Sequence, residues 1–106
     1  MKIQVNTDHN IHGHEATIQQ IEATVEATLG HLSEHITRIE VHVSDENASK
    51  GGSSDKRCMM EARLEKHQPI AVTAEAATMD EAVEDAAHKL KRLIEHTLAR
   101  LSGRQT

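Results

Sequence analysis

The chain has 106 residues, of which 37% are hydrophobic and 27% are charged, and these values are typical of one soluble domain with a single small core. Seventeen Asp and Glu residues oppose 12 Lys and Arg residues, and a molecule with the resulting formal net charge of −5 should repel polyanions. Phe, Tyr and Trp are absent, which excludes recognition of single-stranded nucleic acid by stacking of bases on aromatic rings.

The sequence carries no signal for a membrane or for export. It has no run of about 18 apolar residues, and its amino terminus, MKIQVNTDHN, has neither the apolar centre nor the cleavage site of a signal peptide. The single cysteine, Cys58, excludes a disulfide within the chain. We therefore expect a cytoplasmic protein with no membrane partner.

The first half of the chain predicts a strand, a helix and a second strand. Apolar and polar residues alternate in KIQVNT, which predicts a strand over about 2–7. From Ile18 onward apolar residues recur at steps of three and four, and this spacing predicts one helix over about 14–35, with Gly30 as its weakest position. Alternation returns in RIEVHVS and predicts a strand over about 38–44.

The second half begins with a predicted loop and two strands. The string SDENASKGGSSDK, residues 44–56, has a Gly-Gly pair and no apolar residue larger than alanine, which is typical of an exposed, mobile loop. Alternating residues then predict strands over about 57–65 and 70–76, with Pro69 in the turn between them.

The last helix has the clearest signal in the chain. Thr78 and Glu81 form a capping box, and apolar residues at helical spacing follow it, so a helix is predicted over about 79–101. The resulting order, β-α-β-β-β-α, predicts an α+β fold in which a four-stranded, mostly antiparallel sheet carries two helices packed on one face. One domain over 1–106 accounts for the whole pattern, and the other face of the sheet is predicted to be polar.

The last predicted helix is sorted by charge around its axis as well as along it. Acids in the first turns and bases in the last complement the helix dipole, but the dipole does not explain a sorting between two sides. At roughly 100° per residue, bases collect on one flank and acids on the opposite one. The basic flank consists of Lys89, Arg92, His96 and Arg100, and the opposite flank of Asp80, Glu84, Glu95 and one base, Lys91. This sorting favours contact between the basic flank and backbone phosphates.

Nine histidines are unusual for a chain of this length, and histidine side chains ordinarily gain charge as the pH falls below neutrality. In the first predicted helix His31 and His35 share a flank with no acid, so they are further candidates for nucleic-acid contact at low pH. Their spacing also permits a metal ion, as does the histidine cluster over 8–14, but neither offers a complete ligand set. No metal site is therefore predicted.

Nothing in the chain indicates catalysis. The carboxylates are scattered over helix surfaces and no phosphate-binding glycine motif is present. Cys58 lies on the inward side of its predicted strand, where a buried, inert thiol is expected. We expect a protein that is not an enzyme and that uses no cofactor and no small-molecule substrate.

Three strings together resemble one protein family: KIQVNTDHNI, HLSEHITRIEVHVSDEN and MDEAVEDAAHKLKRLIEHTL. Over essentially its whole length the chain resembles the short bacterial ribosome hibernation-promoting factors and ribosome-associated translation inhibitors. The resemblance implies the β-α-β-β-β-α fold and a non-enzymatic factor that binds the rRNA of the small ribosomal subunit. Binding is expected in the channel used by messenger and transfer RNA, and it is expected to silence translation under stress or in stationary phase.

The resemblance also implies which residues contact rRNA. In the last helix Lys89 and Arg92 match the family's K-L-x-R pattern, and His96 and Arg100 continue the same flank. The first helix departs from the family at three usually basic positions, which hold Thr28, His31 and Glu34. Long members of the family carry an additional domain that pairs ribosomes, so a separate ribosome-pairing factor is a candidate second partner of this short chain.

Two other functions fit the sequence. A divergent member of the family could use its acidic surface as a protein-interaction module, or the nine histidines could make the chain a histidine-based metal-binding protein. A surface without a continuous positive patch across both helices would favour the first of these functions. Binding of zinc or nickel in equilibrium dialysis would favour the second.

Overall fold

A computed structural model describes residues 1–8, 14–45 and 56–103, and the predicted order of strands and helices is confirmed. The elements in chain order are β1 (Lys2–Thr7), α1 (His14–Leu29), a 3₁₀ helix (Gly30–His35), β2 (Ile36–Asp45), β3 (Lys56–Leu64), β4 (Ile70–Ala76) and α2 (Met79–Gly103). The loop predicted over 44–56 lies outside the described residues except for its ends, which belong to β2 and β3.

The strands form one sheet in the order β1-β2-β3-β4, in which β1 is parallel to β2 and the other two pairs are antiparallel. The register places Ile3 beside Ile39 and Ile39 beside Ala62, so residues that face the same way form rows across the sheet. The first two strands are parallel because α1 returns the chain to the end of the sheet at which β1 began. This mixed, mostly antiparallel sheet with two helices confirms the predicted α+β fold.

Both helices bury their apolar stripes against the same face of the sheet. Val25 and Leu29 of α1 and Leu90 and Ile94 of α2 have no exposed surface. The sheet contributes the buried side chains of Ile39, Val41, Val43, Cys58, Met60, Ala62 and Ala74. Full burial of a large aliphatic side chain stabilises the fold by about 1.5 to 3 kcal/mol, so this shared core fixes the rotation of each helix about its axis.

The helix predicted over 14–35 is divided in the structure, because the chain tightens from an α-helix to a 3₁₀ helix at Gly30. A 3₁₀ helix has about three residues per turn, so Leu29 and Leu32 project from the same side, and both are buried. The spacing of an α-helix therefore no longer predicts the direction of side chains after Leu29.

The outward face of the sheet is polar, as predicted, and its charges pair both within strands and between them. Arg38 Nε of β2 lies 3.4 Å from Glu40 Oε2, and the same guanidinium donates a hydrogen bond to the Gln4 side chain. Arg63 Nη2 of β3 lies 3.7 Å from Glu40 Oε2, and Arg63 Nε lies 3.5 Å from Glu61 Oε1. Pairs of this kind each contribute less than about 1 kcal/mol, but they leave this face without a strong local charge.

Cys58 lies on the inward face of β3 between Val43 of β2 and Ala74 of β4, and it has no exposed surface. Burial raises the pKa of its thiol to about 12, so the reactive thiolate does not form near neutral pH. We predict that a thiol reagent at about pH 8 labels the native protein at least about a hundredfold more slowly than the protein unfolded in urea. Labelling of the native protein at the rate measured in urea would contradict this burial.

Candidate nucleic-acid interface

The core fixes the direction of the basic flank of α2. Leu90 and Ile94 point into the core, so at roughly 100° per residue the cations beside them point outward. All four members of the flank are exposed: Lys89, Arg92, His96 and Arg100. The structure thus brings these residues together on one surface, and their contact with nucleic acid stays a prediction.

Lys89 lies at the edge of the sheet. Its Nζ donates a hydrogen bond of 3.0 Å to the backbone carbonyl of Thr73 in β4, which is an edge strand. An edge carbonyl is otherwise available to water, so this bond holds the ammonium group near the sheet without neutralising its charge. The basic flank therefore lies on the side of α2 that faces the free edge of β4.

The C-terminal part of the basic flank has cations without acidic partners. Within the described parts of the chain, no carboxylate lies at ion-pair distance from Arg92, His96 or Arg100. Arg100 lies beside the turn between β3 and β4, where it lines a small cavity with His67, Thr97 and Leu101. Cations that no carboxylate offsets create the positive local potential that attracts phosphate groups.

An acid, Asp85, lies on the same side of α2 as the basic flank. Residues four apart on a helix are neighbours on its surface, so Asp85 lies one turn before Lys89, and its side chain is exposed. Helical spacing alone places Asp85 on this side of the helix, but the acids considered in the sequence were those at positions 80, 84 and 95. The positive part of α2 therefore begins at Lys89 and extends to Arg100.

His31 and His35 lie away from the basic flank. His31 Nε2 is 3.1 Å from Glu95 Oε2, and Glu95 projects from the opposite side of α2. His35 Nε2 is 3.5 Å from Glu34 Oε1. The expectation that His31 and His35 share an acid-free flank is wrong, because the chain tightens to a 3₁₀ helix after Leu29 and because α2 places Glu95 against His31. Their contact with nucleic acid stays a prediction.

The described residues contain no set of three or more His, Cys, Asp or Glu side chains placed to hold one metal ion. The histidine side chains of the cluster over 8–14 lie outside the described residues. Asp8 is described, and its carboxylate accepts a hydrogen bond of 3.3 Å from the N–H of Asp45. The structure thus explains Asp8 as a link between the end of β1 and the end of β2.

The turn between β3 and β4 adds a cation that sequence reasoning missed. Lys66 is exposed and has a φ of 58°, a left-handed conformation that the tight turn requires. The adjacent residue, His67, lines the same cavity as Arg100. The string EKHQP predicted only a change of direction, because the proximity of this turn to the end of α2 depends on the tertiary fold.

Residues 5–102 match the profile of one protein family, described as Sigma 54 modulation protein / S30EA ribosomal protein. Among solved structures, the chain is similar to the N-terminal domain of Protein Y from Thermus thermophilus, with 20% identity and a TM-score of 0.66 over 92% of this chain and 99% of that chain. It is also similar to a ribosomal subunit interface protein from Coxiella burnetii, with 18% identity and a TM-score of 0.69 over 93% of this chain and 99% of that chain. No curated protein matches the chain significantly. At these identities the two structures support the fold.

The geometry separates the contribution of Lys89 to stability from that of Leu90. Leu90→Ala removes fully buried atoms and is expected to lower the free energy of unfolding by about 2 to 5 kcal/mol. Lys89→Gln removes a hydrogen bond to an edge carbonyl that water can replace, so a loss below about 1 kcal/mol is expected. Urea denaturation of both variants measures the difference. An equally large loss for Lys89→Gln would show that the side chain is structural and not free to contact a partner.

Proposed function

The chain belongs to the family described as Sigma 54 modulation protein / S30EA ribosomal protein, and on this premise we propose that it binds the rRNA of the small ribosomal subunit. Binding takes place in the channel used by messenger and transfer RNA and silences translation under stress or in stationary phase. One protein of similar structure is itself described as a ribosomal subunit interface protein, which supports a site of action on the ribosome.

The exposed, uncompensated cations of α2 are the observation that carries the proposal. Arg92 and Arg100 have no acidic partner among the described residues, and Lys89 has only a backbone carbonyl as its partner. Guanidinium groups match phosphate oxygens in a forked geometry. From Lys89 to Arg100 the flank is roughly 16 Å long at 1.5 Å per residue, which is enough to reach several phosphates of one RNA strand.

The net charge of −5 means that the protein as a whole is repelled by RNA, so binding depends on local contacts. At physiological salt, charges more than about 8 Å apart are largely screened, so acids farther than this from the basic flank weaken its contact with phosphates only slightly. Phosphate contacts position a protein but do not read sequence, and the chain has no aromatic side chain to stack on bases. The fit of the folded domain in the channel therefore has to supply the selectivity.

A protein-interaction role for the acidic surface is a second candidate function. Among the described residues Glu95 of α2 lies against His31, so the positive surface of α2 does not continue onto the segment that follows α1. The first turn of α2, in contrast to its C-terminal half, carries the acids Asp80 and Glu81. This role would be supported by a wild-type protein that binds no ribosomal particle but retains a protein partner through these acids.

The proposal includes no catalytic residue, no cofactor and no small-molecule substrate, because the family is one of ribosome-associated factors. The described helices include none that is both long and apolar enough to cross a membrane. We propose a cytoplasmic location on the basis of the ribosomal partner, and a separate ribosome-pairing factor as a second partner.

Reversal of charge on the basic flank tests the proposal. Lys89→Glu combined with Arg92→Glu replaces two phosphate contacts by repulsion, so the fraction of protein that sediments with small subunits is expected to fall at least about tenfold. Both side chains are exposed, and the thermal midpoint is therefore expected to change by no more than about 5 °C.

A matched pair of single substitutions controls for the change in net charge. Arg92→Glu and Lys91→Glu change the charge equally at adjacent positions, but Lys91 projects from the other side of α2. Only Arg92→Glu is expected to weaken sedimentation with small subunits. Equal weakening by both variants would show that net charge matters and the basic flank does not.

The salt dependence of binding tests the role of Arg100. Contacts from Lys89, Arg92 and Arg100 give a slope of about −2 to −3 for log affinity against log salt concentration. Arg100→Gln removes one of these contacts, so binding is expected to weaken and the slope to become shallower by roughly one. Lys91→Gln, on the other side of α2, is expected to leave the slope unchanged. An unchanged slope for Arg100→Gln would refute this role.

A further inference from the structure

Leu93 is a large apolar side chain that is exposed beside the basic flank, on the side of the flank nearer the core. Its exposed fraction is 44%, and that of Leu101, two turns later, is 38%. Within the described parts of the chain these two residues are the exposed large hydrophobic side chains. A single exposed leucine on a surface is ordinary, so the chemical surroundings of Leu93 decide whether it is informative.

Basic side chains border Leu93 on one side. Residues three and four apart on a helix are neighbours, so Leu93 lies between Lys89 on the preceding turn and His96 on the following turn, while the buried Leu90 and Thr97 lie on its other side. Lys89 and His96 are exposed, and His96 has no carboxylate at ion-pair distance among the described residues. The exposed atoms of Leu93 therefore lie at the boundary between the apolar core and the basic flank.

This pattern does not match a groove or face for a partner helix. An amphipathic partner helix needs a continuous apolar stripe at helical spacing. The positions between Leu93 and Leu101 on this side of α2 hold His96, the buried Thr97 and Arg100. The leucines are therefore isolated apolar side chains separated by polar and positive ones. This alternation matches a nucleic-acid strand, in which apolar sugar surfaces alternate with phosphates.

We infer that Leu93 is an RNA-contacting residue that packs on the apolar face of a ribose while Lys89, Arg92 and His96 hold the neighbouring phosphates. This inference rests on the proposed function and names the contact that the basic flank makes in addition to charge. A ribose contact needs no aromatic side chain, and the chain has none. Its burial also excludes water from the adjacent ion pairs and so strengthens them.

The exposure of Leu93 makes the inference testable without loss of the fold. Burial of the exposed part of a leucine side chain corresponds to an affinity change of about five- to tenfold. Leu93→Ala and Leu93→Gln are expected to weaken binding to purified small subunits by this factor, and Leu93→Met, which stays apolar and of similar size, by less than about twofold. The salt slope is expected to stay the same in all three variants, because no phosphate contact is lost.

The readout combines affinity with a footprint of the RNA. Sedimentation at several salt concentrations gives the affinity and the slope, and hydroxyl-radical cleavage of the rRNA reports which riboses the bound protein covers. At saturating protein, Leu93→Ala is expected to uncover about one to three riboses that the wild type protects, with all other protections unchanged.

Each other outcome has a definite meaning. If the Leu93 variants bind as the wild type does while Lys89→Glu with Arg92→Glu does not bind, the inference fails and the proposed function stands. If affinity falls but ribose protection does not change, Leu93 does not pack on a ribose, which overturns the inference. A changed salt slope would show that Leu93 acts by positioning the cations, and this also overturns it. If the wild type itself does not bind, the proposed function fails and the inference with it.

Discussion

The burial of Leu90 and Ile94 against the sheet is the constraint on which the surface of this protein depends. Both side chains are fully buried, and the regular rotation of a helix then determines the direction of every other residue of α2. The cations at positions 89, 92, 96 and 100 face outward because the apolar stripe faces inward. The core therefore orients the candidate interface, and the same contacts place it along the free edge of β4, where Lys89 bonds to Thr73.

The acidic composition and the positive flank are compatible because the charges are separated in space. On the outward face of the sheet Arg38 and Arg63 are paired with Glu40, and His31 is paired with Glu95, so these bases add little to the surface potential. Acids in the first turn of α2 complement the helix dipole. In the described parts of the chain, Arg92 and Arg100 on the C-terminal half of α2 have no acidic partner, so this surface offers positive charge to phosphates.

Local signals in the sequence predicted most of the fold. Alternation predicted all four strands, and the capping box at Thr78 predicted the start of α2, because strand and helix periodicities are set within each segment. The direction of His31 was predicted wrongly, since it depends on the tightening of the chain at Gly30 and on Glu95 from a distant segment. The bond from Lys89 to Thr73 and the exposure of Leu93 likewise result from packing between elements, which no local pattern contains.

Sedimentation of the wild-type protein with separated ribosomal subunits tests the central claim most directly. The claim is that an acidic domain of this family binds RNA through one positive flank of α2. We expect the protein to sediment with small subunits at low salt, to dissociate as the salt concentration rises, and to leave large subunits unbound. A protein that does not sediment with small subunits under any salt condition, or that sediments with them independently of salt, would contradict the claim.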